Sequence, residues 1–187
     1  PGRTSPCPEL SDGDLAATPI ADHEDPAVRR FANRASRGAE SDGETAERLR
    51  RAVHRHVDRK GLATAFASAS ETVRDRRGDC TEHAVLLAAA LRSRGIGSRV
   101  VNGLVWIPSG GGREGGYLWH MWTQAVIDGR WLDLDATLPP DGPGFHAGHL
   151  AVNTGDLSPA SFNATGTGML EVFGAIDITI LEQAPSP

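Results

Sequence analysis

The sequence predicts an α+β fold, with helices first and an antiparallel sheet after them. Three observations carry this reading. The run from Ala84 to Leu91 contains no charged residue, which marks a helix that is apolar on every side and therefore central. Upstream of it, apolar residues recur at helical spacing; downstream of Gly95 the chain turns to β-branched and large apolar residues. Asp128-Gly129 then stands between two such runs as a two-residue hairpin signal.

The elements follow in order. Residues 1–24 read as a flexible N-terminal segment, and residues 25–187 as a single domain, since 187 residues are ample for one core and short for two. Asp25-Pro26 is an N-cap followed by proline at the first helical position, and Val28, Phe31, Ala32 and Ala35 form its apolar stripe. A second helix runs roughly from Glu44 to Arg59, with Ala46, Leu49, Val53 and Val57 on one face. His54 and His56 on that helix do not share a face and read as solvated polar surface. Ser68 with Glu71 is a capping-box pattern that opens a short third helix.

The central helix has Asp79 as N-cap, Glu82 in the capping-box position and Gly95 beyond its end. A strand is expected over Ser98–Ile107, a glycine-rich loop over Ser109–Gly116, and a second strand over Tyr117–Ile127. The hairpin turn then leads into Trp131-Leu132-Asp133-Leu134-Asp135-Ala136-Thr137. A loop rich in proline and glycine spans Pro139–Gly148, and two more strands are expected at Met169–Phe173 and around Ile176, Ile178 and Ile180.

Cys80 lies in the first turn of the central helix. Unpaired N–H groups and the helix dipole favour an anion there, and a thiol so placed can act as a nucleophile near neutral pH. An isolated cysteine is more ordinarily a small buried hydrophobe, and position alone does not choose. The hairpin register adds to the case. With Asp128 and Gly129 as the loop, Ile127 pairs with Arg130, Trp122 with Asp135, and His120 with Thr137. His120 and Asp135 then become diagonal neighbours on one face, roughly 7–8 Å apart. A thiol, an imidazole and a carboxylate so arranged are what nucleophilic catalysis by cysteine requires. Asp133 shares a strand face with Asp135, so periodicity cannot choose between them.

Three segments in this order, Gly78-Asp79-Cys80-Thr81-Glu82-His83-Ala84, Trp119-His120-Met121-Trp122 and Trp131–Thr137, resemble the core of the transglutaminase-like superfamily. The resemblance implies a papain/transglutaminase-like core with Cys80 as nucleophile, His120 as general base and Asp135 as the acid that orients it. It also favours Asp135 over Asp133. Proline is frequent in the family where this chain has Ala136, a departure that bears on the local bend more than on the chemistry. The implied reaction is acyl transfer or hydrolysis at amide bonds of a peptide or protein, with no metal or other cofactor. Some animal transglutaminases use calcium, but this chain has no EF-hand-like ligand run. The backbone N–H of Cys80 is a natural oxyanion donor. Trp106, Trp119 and Trp122 can line a groove or simply pack in the core.

Two other classes compete. Cys80 with His83 and His146 with His149 are C-x-x-H and H-x-x-H pairs that could furnish four zinc ligands, although the interval between the pairs is long. His149 could instead bind substrate near the active site, but the sequence does not place it. A non-catalytic interaction domain is the third reading. The net charge of −5, without a basic run, argues against nucleic acid as a partner. No long apolar span suggests membrane insertion. The chain opens with Pro1 and shows no signal-peptide pattern, and both a cytoplasmic and an exported location fit it. Cys7 lies in the terminal segment, so Cys80 is expected to be free.

Overall fold

Among the described residues, four α-helices precede a four-stranded antiparallel sheet in which the strands, numbered in chain order, lie third, second, first, fourth. The computed structural model describes residues 10–59, 67–109, 114–142 and 144–161. The strands expected at 169–173 and 176–180 lie outside these, as does Cys7. The helices are α1 (Pro26–Ala35), α2 (Asp42–His56), α3 (Ala69–Asp75) and α4 (Cys80–Arg92). The strands are β1 (Ser98–Ile107), β2 (Gly116–Ile127), β3 (Arg130–Leu134) and β4 (His149–Gly155). The expected α+β architecture is therefore present, with a central buried helix against the sheet.

Each helix starts where its capping chemistry places it. The Asp25 carboxylate accepts the Ala27 amide at 2.6 Å, the Ser41 hydroxyl accepts the Glu44 amide at 3.1 Å, and Ser68 with Glu71 forms a reciprocal box. From Glu82 to Arg92 every residue of α4 is buried, as expected for a helix without a polar face. Its far end is held by Arg92, whose guanidinium donates to the carbonyls of Ala16, Ser98 and Asp156 at 2.7–2.8 Å. That one side chain ties the chain before α1, the start of β1 and the chain after β4. Residues 10–24, read from sequence as part of a flexible terminus, thus include a 3-10 turn over Asp12–Asp14 and a fully buried Ala21.

The hairpin register is the expected one from Ile127↔Arg130 to Thr123↔Leu134, where β3 ends. Side chains alternate across β2. Thr123 bonds the Ala84 carbonyl of α4 at 3.0 Å, while Trp122, with 1 % exposure, faces the other way, beside Val101 of β1.

Two features differ from expectation. β4 falls where no strand was anticipated, and it pairs with β1 through a register shift at Asn102/Gly103. His54 and His56 are not solvated surface: His54 Nδ1 donates to Ala136 O at 3.0 Å, and His56 Nε2 donates to Val73 O at 2.9 Å. Both imidazoles pin backbone carbonyls of neighbouring elements to α2.

Gly103 sits at that bulge and pairs with His120. A Cβ there would lie 2.1 Å from the Leu150 carbonyl oxygen and 2.7 Å from the Trp122 ring. Gly103→Ala is therefore expected to cost about 1–3 kcal/mol by forcing backbone and indole apart. The urea midpoint measures this. Gly116→Ala, where nothing lies within 4 Å, should move stability by no more than about 0.5 kcal/mol.

Candidate active site

The thiol is positioned by a tightly determined helix start. Asp79 is in extended conformation as N-cap, and its carboxylate accepts the Thr81 amide at 2.8 Å. Glu82 reaches back to the Asp79 amide at 2.9 Å and also accepts from the Ala67 amide at 3.3 Å. Burial pushes the Glu82 carboxyl up from its ordinary range, and these amide bonds pull the other way. The preceding Gly78 is required by contact: a Cβ on it would meet Glu82 Cβ at 2.3 Å. Cys80 is free of any disulfide and half-buried against the core.

His120 comes from the middle of β2 and is 9 % exposed. Its Nε2 donates to Asp135 Oδ2 at 2.7 Å, and the Cys80 thiol lies close enough to act on the ring electrostatically. With Nε2 committed to the carboxylate, Nδ1 is the ring nitrogen left for the thiol. Burial alone would lower the imidazole's pKa, but the bonds and charges of Asp135 and Cys80 outweigh it and push the value up to about 9.

Asp135 stands one residue past the end of β3, at 2 % exposure. Its Oδ1 accepts the Thr137 amide at 2.8 Å and the Thr137 hydroxyl at 2.7 Å. Its Oδ2 accepts from His120 and, at 3.2 Å, from His149 Nε2. Burial would raise its pKa; the His120 and His149 hydrogen bonds, with that of Thr137, hold the carboxyl well below the usual carboxylate range. Arg50 of α2 fixes the backbone here by donating to the Leu138 carbonyl at 3.0 Å and the Asp135 carbonyl at 3.3 Å.

Of the two aspartates that periodicity could not separate, it is Asp135 whose carboxylate contacts His120. Asp133 is on the same face but is taken by other partners: its Oδ1 accepts Trp122 Nε1 at 2.7 Å and Gln124 Nε2 at 2.9 Å. Of the three tryptophans considered as groove walls, Trp122 is buried, Trp119 half-buried and Trp106 42 % exposed. A cavity of about 210 Å³ opens beside Asp135, with Arg50, Asp133 and Phe145 among its walls, but Cys80 does not line it.

The two pairs considered for zinc are not assembled. His83 Nδ1 donates to the Asp79 carbonyl at 2.5 Å, Cys80 faces His120, and His149 turns to Asp135. Among the described residues, the metal-ligand types that come together are His120, Asp135 and His149, with ligand atoms within 4.8 Å of one another. Each imidazole Nε2 is already bonded to the carboxylate between them, so the cluster is filled by hydrogen bonds. His149 is the residue that sequence reasoning left unplaced; H-x-x-H spacing flagged it, but for a different partner.

Residues 29–136 match the family model of the transglutaminase-like superfamily. The chain belongs to that superfamily, and the segment carrying Cys80, His120 and Asp135 lies within the match. A search of curated proteins found no match. Among solved structures, a candidate cysteine protease from Cytophaga hutchinsonii is 20 % identical with a TM-score of 0.62, covering 76 % of this chain and 46 % of that one. The periplasmic domain of TgpA from Pseudomonas aeruginosa is 21 % identical with a TM-score of 0.50, covering 66 % and 45 %. This chain therefore spans less than half the length of either. At such identities the likeness is one of fold, and it agrees with the papain/transglutaminase-like architecture.

The shifts at His120 and Asp135 make stability pH-dependent in a defined direction. His120, raised from 6.5 to about 9, adds stability that is complete below pH 6.5 and is lost as the pH rises through 9. Asp135, depressed from 3.8, adds stability that is present above 3.8 and is lost on acidification. The urea midpoint of the wild type is expected to fall between pH 6.5 and about 9, and that of His120→Gln to be flatter across the same window.

Proposed function

We propose that this domain is a thiol enzyme that cleaves or transfers acyl groups at amide bonds of a peptide or protein, with Cys80, His120 and Asp135 as its catalytic residues. One observation carries the reading: a single imidazole, bonded through Nε2 to a buried carboxylate, lies beside a thiol at a helix N-terminus. An imidazolium beside a thiol, at the positive end of a helix, favours the nucleophilic thiolate. The thiolate attacks the amide carbonyl, and the resulting oxyanion takes the Cys80 N–H, an amide of the first turn that has no intrahelical acceptor. His120 then protonates the departing amine as the C–N bond breaks, leaving a thioester. Water or a second amine, deprotonated by His120, resolves the thioester and restores the thiol.

Asp135 keeps Nε2–H pointed at itself, so that Nδ1 is the nitrogen that exchanges a proton with sulfur. The same residues serve hydrolysis and transamidation; which acceptor arrives depends on how far water is excluded. The description of the Cytophaga protein as a candidate cysteine protease fits the hydrolytic outcome. Among the described residues no helix is long and apolar enough to cross a membrane.

Iodoacetamide alkylation of Cys80, followed by peptide mass mapping across pH, tests the reading directly. Near neutral pH the wild type should react readily, and His120→Ala should slow the reaction by roughly tenfold or more. With a glutamine peptide and a fluorescent primary amine, incorporation signals transamidation, ammonia without incorporation signals deamidation, and fragments signal proteolysis. Cys80→Ala should abolish whichever occurs while leaving the fold intact. His120→Ala should lose roughly 10²–10⁴-fold, and Asp135→Asn a smaller factor. Full turnover by Cys80→Ala would sink the proposal.

A further inference from the structure

We propose that His149 is a positioning residue of this site, a second histidine that shares Asp135 Oδ2 with His120 and divides the carboxylate's charge between two imidazoles. The proposal rests on the catalytic reading of Cys80, His120 and Asp135. It comes from hydrogen-bond geometry at a residue that neither the family match, which ends at Asp135's neighbour Ala136, nor the sequence places in the site.

The His149 side chain is completely enclosed, at 0 % exposure, so its ring nitrogens can bond only to protein. Nε2 lies 3.2 Å from Asp135 Oδ2 and Nδ1 lies 3.1 Å from the His146 carbonyl oxygen. Both neighbours are acceptors, and the ring N–H that faces Asp135 Oδ2 donates to it. The ring is stacked on Phe145, with centroids 4.1 Å apart, and meets the edge of Trp122 at 5.3 Å. An imidazole so clamped has its plane fixed before any substrate arrives.

The consequence lies at His120. The two imidazoles are 5.8 Å apart, centroid to centroid, and approach one oxygen from different sides. A donor from His149 withdraws charge from Oδ2 and so weakens the hold of Asp135 on the His120 imidazolium. Thr137 keeps Oδ1 occupied in either case, so losing His149 frees charge without freeing the carboxylate to rotate. His149 therefore moderates the basicity of His120, keeping it low enough to return its proton to a leaving amine. The other charged or titratable groups facing this cluster are Cys80 and His83 from α4, Arg50 from α2 and His146, whose ring centroid lies 4.6 Å from that of His149, and none of them donates to Oδ2.

The test is the titration of the His120 ring, followed by nitrogen-15 NMR of selectively labelled histidine. In His149→Phe, which retains the aromatic stack but offers no N–H, the His120 midpoint should rise by about half a unit or more. In His149→Gln, whose amide can donate to Oδ2, it should return toward the wild-type value. A purely structural role would lower the thermal midpoint of both variants and leave the His120 titration in place, and that result overturns the proposal. Should His149→Phe not fold, Asp135→Asn supplies the check: removing the shared carboxylate should shift the Nε2 resonances of both His120 and His149, and a shift of His120 alone overturns it. Stoichiometric zinc in the isolated protein would also overturn it, because an ion between the rings replaces both N–H···O bonds. The alkylation of Cys80 separates the two proposals. A thiol indifferent to His120→Ala defeats the catalytic reading, whereas an unmoved His120 titration in His149→Phe defeats only the role of His149.

Discussion

An ionised carboxylate at 2 % exposure sets the terms for this domain. Taking a carboxylate out of water costs several kcal/mol unless its oxygens are fully bonded. Asp135 meets that demand with four donors: two from Thr137 on one oxygen, and His120 and His149 on the other. Those donors come from the segment after β3, from β2 and from β4, so the carboxylate is satisfied only when the hairpin has closed and β4 has added to β1. The site and the sheet order are in this sense one problem. A fold that misplaced β4 would strand part of a buried charge.

The thiol is tied to that carboxylate through two independent anchors on α4. At the helix start, Asp79 and Glu82 exchange hydrogen bonds with each other's backbone, and Gly78 leaves room for the Glu82 side chain. One turn later, the Ala84 carbonyl is held by Thr123 of β2, three residues from His120 on the same strand. The distance from sulfur to imidazole is therefore governed by short, rigid pieces of secondary structure, which is where a reactive pair is most accurately held. Burial of the whole helix beyond Glu82 removes the freedom to slide that a half-exposed helix would keep.

Much of this was legible in the residues because it is local. Asp25-Pro26, Ser68 with Glu71, and Asp79 with Glu82 announce helix starts through chemistry contained within four residues, and each is a cap in the structure. Asp128-Gly129 likewise determines the β2–β3 register, since a two-residue loop leaves one pairing; Asp128 and Gly129 both adopt positive φ. What could not be read depends on distant contacts. His-Leu-Ala-Val-Asn-Thr-Gly at 149–155 has little strand character by itself and becomes β4 by pairing with β1, a partner some fifty residues earlier in the chain. His54 and His56 look like surface on a helical wheel, because the carbonyls they bond, Ala136 and Val73, belong to other elements.

Asp133 and Asp135 show how the fold resolves what pattern cannot. Both point to the same face by alternation, and the difference between them is where β3 stops. Asp133 is still inside the ladder, opposite Gln124, and is taken by the Trp122 indole and the Gln124 amide on its partner strand. Asp135 has left the ladder, so its backbone can be captured by Arg50 and its carboxylate brought to within 2.7 Å of the imidazole. The diagonal spacing of a regular sheet would have left a wider gap. By occupying the indole N–H, Asp133 also holds Trp122 where it stacks against His120 and meets His149 in a T-shaped contact. One aspartate thus carries charge into the site and the other fixes the apolar wall that keeps water from that charge, and in that low-dielectric setting the hydrogen bonds between Asp135 and its two imidazoles are strongest.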